Sequence, residues 1–172
     1  MSDYAAARLN MVESQLRPNR VTDMRLLEAF LDLPREEFVP ARLRGIAYVD
    51  EDIPVGDGRY LTEPMVLARL IQLAGVAPGH SVLEVGAGAG YGTAVLARVA
   101  DSVIALECDA GMARAAEANL QRLDIRNATV VTGPLAAGHP GQAPFDAIIV
   151  NGACEQIPQA LPDQLADGGR LV

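Results

Sequence analysis

Cysteine is scarce in this chain. Cys108 and Cys154 are the only two, without Cys-x-x-Cys spacing, and histidine adds only His80 and His139. This argues against a disulfide framework and a zinc site, no metal is expected, and the redox setting reads as a reducing cytoplasm. Long apolar runs are also missing: none approaches the roughly 18 residues of a membrane span. The opening MSDYAAARLNMVESQLRP carries acids and no apolar signal core, so neither a secretion signal nor a membrane partner is expected. Basic charge is outnumbered, 14 Lys and Arg against 22 Asp and Glu, for a formal charge of −8. Such a surface repels phosphate backbones and disfavours nucleic acid as a partner.

What is present suits a globular core. The chain is 172 residues long and half of it is apolar, enough for one domain. Residues 3–17 have helical apolar spacing that Pro18 stops. A second helix follows, capped by Thr22 or Asp23 and ended by Pro34, with Leu26, Leu27, Phe30 and Leu31 on one face. Residues 34–60 are mixed. EPMVLARLIQLAGV is a third helix, with Pro64 in its first turn and Gly75 at its end.

From residue 81 the rhythm alternates. SVLEVG, SVIALE, ATVVT, FDAIIV and GRLV read as strands; GTAVLARVA and AGMARAAEANLQRL read as helices, and PQALPDQL as a short one. Strands separated by helices and apolar on both faces imply a doubly wound parallel sheet, covered by helices on both sides.

Ligands in such folds bind at the carboxyl ends of the strands. There the chain places GAGAG, with Gly86, Gly88 and Gly90 at alternate positions around Ala87. Glu84 precedes it, Tyr91 follows, and Glu107 ends the next strand. A loop without Cβ atoms passes close beneath a bound molecule. Glu107 is placed to accept two hydrogen bonds from a ribose diol. The nicotinamide fingerprint needs G-x-G-x-x-G, and Tyr91 departs from it. No basic residue lies in the loop, and Glu84 welcomes a cation or an amine, both of which S-adenosylmethionine carries. An NAD-binding oxidoreductase remains the alternative from another class.

Three segments resemble the protein-L-isoaspartate (D-aspartate) O-methyltransferase family: MVESQLRPNRVTDMRLLEAFLDLPREEFVP, the block from YVDEDIPVGDGRYLTEP through GAGAGYGTAVLA, and APFDAIIVNGACEQIPQALPDQLADGGRLV. The resemblance implies an α/β, class I S-adenosylmethionine-dependent methyltransferase fold, Rossmann-like, with a helical N-terminal cap. Residues 1–64 would form the cap and substrate side, and 65–172 the cofactor-binding core. It implies carboxyl methylation of isoaspartyl residues in damaged peptides and proteins, a repair reaction that needs no strong general base. S-adenosylhomocysteine would be the product.

The same resemblance assigns residues. Thr62 takes the place of the family's substrate-orienting serine. Cys108, Gly133, Pro134, Leu135 and Asn151 join Glu84, Gly86, Ala87, Gly88, Gly90, Tyr91 and Glu107 around the cofactor. Departures lie at Thr62 and Glu63, where the family carries Ser and Gln, and at Pro134 and Leu135, where it carries Asp and Gly. A carboxylate at Glu63 repels a carboxylate substrate, which implies weak methylation by this chain. The alternative is a methyltransferase-like protein with another substrate or a non-catalytic role. The family's further strands after GGRLV are not in the sequence, which would leave the last strand an edge and the protein a monomer or an edge-paired dimer. Thr62 also reads as a plain N-cap before Pro64. Both cysteines read as small core residues.

Overall fold

The computed structural model describes residues 3–56 and 58–172; Met1, Ser2 and Asp57 of the expected cap lie outside them. Helix α1 (Tyr4–Met11) runs into a π-helical turn, Val12–Leu16, and ends before Pro18. Helix α2 (Met24–Asp32) starts where the Asp23 side chain accepts a hydrogen bond from the Arg25 N–H, 3.0 Å. Leu26, Leu27 and Phe30 are buried along its inner face, each such side chain contributing roughly 1.5–3 kcal/mol.

The mixed stretch resolves into two 3-10 turns, Arg35–Phe38 and Ala41–Ile46, and an antiparallel hairpin of β1 (Ile53–Gly56) and β2 (Arg59–Leu61). Helix α3 (Pro64–Ala74) follows, closed by Gly75 at φ +65°.

The remaining elements are β3 (Ser81–Val85), α4 (Tyr91–Val99), β4 (Ser102–Glu107), α5 (Ala110–Arg122), β5 (Ala128–Thr132), β6 (Phe145–Val150) and β7 (Leu165–Leu171). Five strands form one parallel sheet in the order β5-β4-β3-β6-β7. The order reverses direction between β3 and β6, which opens a crevice beyond their carboxyl ends. Asp146 accepts the Ser81 N–H at 2.8 Å and ties the starts of β6 and β3 together.

The doubly wound α/β class expected from the sequence is the one observed, and its two faces are covered differently. Along β3, Val82 faces the larger core with Leu67, Ile71, Tyr91, Val95 and Leu120 from α3, α4 and α5. Leu83 and Val85 face a smaller cluster, closed by Leu161 and Leu135 from irregular segments rather than α-helices. The helix expected over 158–165 is a turn and a 3-10 segment, Pro162–Gln164, because Pro162 brings no backbone N–H to a longer ladder. Among the described residues no helix is long and apolar enough to cross a membrane.

Candidate active site

A cavity of about 820 Å³ opens at the carboxyl ends of β3 and β6. Val85, Gly86 and Gly88 form one wall, Val150, Asn151 and the 152–154 loop another, Leu135, Ala136 and Leu161 an apolar side, and Asp52, Arg59, Tyr60, Thr62 and Glu63 the rim. A second groove, of about 420 Å³, lies between α5 and β5, with Glu117, Asp124 and Arg126 among its lining residues.

The glycine loop is held by backbone bonds. The N–H groups of Gly86 and Ala87 donate to the Leu106 carbonyl at 2.8 and 3.2 Å. Gly88 sits at φ +56°, and a Cβ there would meet nothing within 4 Å. It is therefore glycine for its backbone angle and for the open space before it, not for protein packing. Its N–H donates to Glu107 Oε2 at 2.7 Å. Glu107 Oε1 accepts from the N–H groups of Cys108 (2.8 Å) and Asp109 (3.0 Å). The carboxylate is fully buried; the Cys108 thiol also donates to Oε1 at 3.5 Å, and the guanidinium of Arg59 pairs with Oε2.

A second buried carboxylate lies behind the wall. Thr62 Oγ1 donates to Asn151 Oδ1 (2.7 Å), Asn151 Nδ2 to Glu84 Oε1 (2.9 Å), and Thr93 Oγ1 to Glu84 Oε2 (2.5 Å). Burial pushes the Glu84 carboxyl up to about 7; the bonds from Thr93 and Asn151 oppose that rise and the charge of Glu107 adds to it. This chain of bonds fits because residue 92 is glycine: a Cβ there would overlap Glu84 Oε1.

Of the residues singled out from the sequence, Thr62, Gly86, Gly88, Leu135 and Asn151 line the cavity. Glu107 lies beneath Arg59, and Glu84 behind Asn151. Ala87 is buried. Gly90 starts α4, where a Cβ would stand 3.1 Å from the Ala116 Cβ. Tyr91 is 1% exposed, packed between Phe30, Phe38 and the Arg35 guanidinium; burial raises its phenol to about 12. Gly133 donates its N–H to the Glu107 carbonyl at 3.0 Å, and Pro134 is exposed beside it.

Two expectations are corrected. Cys108 and Cys154 are exposed free thiols, not core residues: Cys108 follows β4 out of the sheet, and Cys154 lies on the cavity loop. Thr62 is not the cap of α3. Glu63 takes that position without a side-chain cap bond, Pro64 fills the first helical position, and the Thr62 hydroxyl is committed to Asn151.

The sequence reading passed over Arg35, Arg59 and Gly92. Arg35 is fully buried, and its guanidinium donates to the carbonyls of Ala47 (2.7 Å) and Thr62 (2.8 Å). It fixes the backbone that carries the site hydroxyl, and burial lowers its pKa. No local pattern marks these contacts. The hairpin did leave a signal, the dipeptide Asp57-Gly58.

The comparisons agree with this geometry. A family model described as protein-L-isoaspartate(D-aspartate) O-methyltransferase matches residues 7–172. A protein-L-isoaspartate O-methyltransferase of Koribacter versatilis is 41% identical over 172 residues, covering 100% of this chain and 78% of that protein. One from Methylorubrum extorquens is 45% identical over 170 residues, covering 99% and 74%. A solved protein-L-isoaspartate O-methyltransferase superposes at TM-score 0.83 with 30% identity over 95% of this chain, which spans about half, 54%, of that one. A putative protein-L-isoaspartate O-methyltransferase from Plasmodium falciparum, in complex with S-adenosyl-L-homocysteine, shares the fold at TM-score 0.79 with 22% identity, over 99% of this chain and 83% of that one. With a family match over nearly its whole length and relatives above 40% identity, this chain belongs to the protein-L-isoaspartate (D-aspartate) O-methyltransferase family.

Proposed function

We propose that this chain methylates the free α-carboxylate of isoaspartyl residues in damaged peptides and proteins, with S-adenosylmethionine as the methyl donor. The observation that carries the reading is the Glu107 carboxylate, fixed by three backbone N–H groups beneath Arg59 of the cavity lining, beside a cavity into which Gly88 sends no side chain. Glu107 would hold the ribose diol, Gly86 and Gly88 would lie against the nucleoside, and Leu135 and Ala136 would offer apolar contact. The acids around the cavity suit a sulfonium and an amine. Bound there, S-adenosylmethionine supplies a methyl group already activated by the positive sulfur.

The acceptor needs no base, because a carboxylate is nucleophilic at neutral pH. The chain's residues therefore work by placing it. The Thr62 hydroxyl is held by Asn151 and Glu84 and backed by Arg35 through its own carbonyl; its lone pairs are free to accept a peptide N–H of the substrate, and it would hold the carboxylate by turning its O–H from Asn151 to that group. The resulting ester closes by attack of the following backbone nitrogen, with loss of methanol, to a succinimide that water reopens partly to normal aspartate. Residues 65–172 form the cofactor side of this arrangement and 1–64 the substrate side. Two free thiols suit a cytoplasmic setting.

Calorimetry with S-adenosylhomocysteine tests the reading. The native chain should bind it, and Glu107→Ala should bind about 10- to 100-fold more weakly, the effect of losing about 1.5–3 kcal/mol of hydrogen bonding to a charged group. Unchanged affinity in the alanine variant removes Glu107 from the site.

A further inference from the structure

Arg59 stands where two ligands would have to meet. It opens β2 on the hairpin, with its side chain 28% exposed, while Glu107 beneath it is wholly buried. Three of the partners of Glu107 are backbone N–H groups of the glycine loop and of the β4 end, which cannot leave without unmaking the loop. The Cys108 thiol, 3.5 Å from Oε1, belongs to that same β4 end, so Arg59 is the partner from elsewhere that can. It comes from a different element, one bordered by Gly56 and Gly58, both at positive φ. A diol that takes Glu107 competes with this guanidinium for the same carboxylate.

The charge of the cavity decides where the displaced guanidinium goes. Among the described residues that line it, Arg59 is the one cation, and Asp52 and Glu63 are acids. A carboxylate substrate entering there meets repulsion from both acids and attraction from Arg59 alone. Arg59 also lies three positions before Thr62, on the segment that carries the site hydroxyl.

Resting on the functional reading above, we propose that Arg59 exchanges partners. It leaves Glu107 when the ribose diol takes that carboxylate, and it then receives the carboxylate of the isoaspartyl substrate. Before the exchange Arg59 closes the nucleoside site; after it, Arg59 is a specificity determinant for an anionic acceptor. Two ligands that both favour the same displaced Arg59 must each strengthen the other's binding by the same factor.

The experiment is calorimetric titration of S-adenosylhomocysteine into the native chain, alone and with a saturating isoaspartyl peptide, with the same peptide amidated at that carboxylate as control. Affinity should rise at least about fivefold with the acid peptide and not with the amide, a coupling in the usual range. Arg59→Gln should bind S-adenosylhomocysteine alone several-fold more tightly than the native chain, lose the coupling, and raise KM for the peptide about tenfold or more with kcat little changed. Arg59→Lys, which keeps the charge without the planar fork, should retain part of the coupling. An Arg59→Gln chain that binds S-adenosylhomocysteine equally or more weakly, or that keeps the coupling, overturns the exchange alone. A native chain that binds no S-adenosylhomocysteine overturns the functional reading, and the exchange with it.

Discussion

The two walls of the cavity are built in opposite ways. The sheet side, from β3 through the glycine loop to the end of β4, is held by backbone hydrogen bonds between consecutive elements, and its carboxylates are fully buried. The hairpin side, residues 52–63, is held by side chains reaching from far along the chain: Arg35 to the Thr62 carbonyl, Asn151 to the Thr62 hydroxyl, Glu107 to Arg59. Tyr60, in the middle of it, is 59% exposed. A wall of backbone bonds recurs whatever the substrate; a wall of long-range side-chain bonds can be retuned by one substitution. The departures from the family at Thr62 and Glu63 fall on that second wall. Those at Pro134 and Leu135 fall beside the first, where the backbone bond from Gly133 to Glu107 survives them.

The sharpest way to break the contrast is to place the same strain inside and outside the site. Gly88 and Gly79 both have positive φ, +56° and +89°, and at both a Cβ would meet nothing within 4 Å. Valine at either position should cost about 1–2 kcal/mol of stability from the left-handed backbone. Only Gly88→Val should abolish S-adenosylhomocysteine binding, by more than about 100-fold, because only its side chain would enter the cavity. Thermal melts and calorimetry on the pair separate the two effects; equal binding by both variants would mean that the glycine loop is not the cofactor platform.

The same contrast explains what was legible. Strands β3 to β6, their helices, the loop and Glu107 lie within local patterns: apolar runs, the helical period, alternate glycines, an acid at a strand end. The hairpin side is encoded in pairs separated by tens of residues. Nothing local tells that Arg35 is buried, that Gly92 clears space for Glu84, or that Arg59 reaches Glu107. The cysteines were misplaced for the same reason: residue type suggests burial, but position just past a strand end decides exposure. The Asp-Gly hairpin signal lies inside the stretch 34–60, whose mixed composition carries no clear strand alternation around it.

Glu84 joins the two walls through Asn151, and its titration gives a smaller, pH-dependent test. Its carboxyl is held at about 7 against an ordinary 4.5, chiefly by burial. In the pH range between those values the folded chain therefore binds more protons than the unfolded one, and stability falls as pH rises from about 4.5 to 7. The full difference corresponds to about 3 kcal/mol. Glu84→Gln removes the charge while keeping an acceptor for Asn151, and its new amide can donate to Thr93. It should match the native chain at about pH 4 and exceed it by up to about 3 kcal/mol above pH 7, as read by urea titration at both pH values. A variant destabilised equally at both would show that the bond geometry, not the buried charge, dominates there.

The smallest effect concerns Glu63, and here the structure revises the size expected from sequence. Glu63 does line the cavity, so its charge faces the substrate side. It is also only partly buried, at the rim, with its N–H bonded to Asp52 at 2.9 Å. Its pKa is raised, first by burial and then by Asp50, Asp52 and Glu51. Water at the rim brings the effective dielectric closer to its bulk value. At a dielectric of about 60 and a separation of about 5 Å, like charges repel by about 1 kcal/mol, which is roughly fivefold in rate. Glu63→Gln should therefore raise tritiated methyl transfer to an isoaspartyl peptide by roughly fivefold at low ionic strength. The gain should shrink toward unity at about 1 M salt, where screening acts over about 3 Å. Lowering the pH toward the raised pKa should also narrow the gap between native and variant chains, because the native glutamate then loses its charge. A gain that ignored both salt and pH would point to shape at the mouth of the cavity rather than to charge.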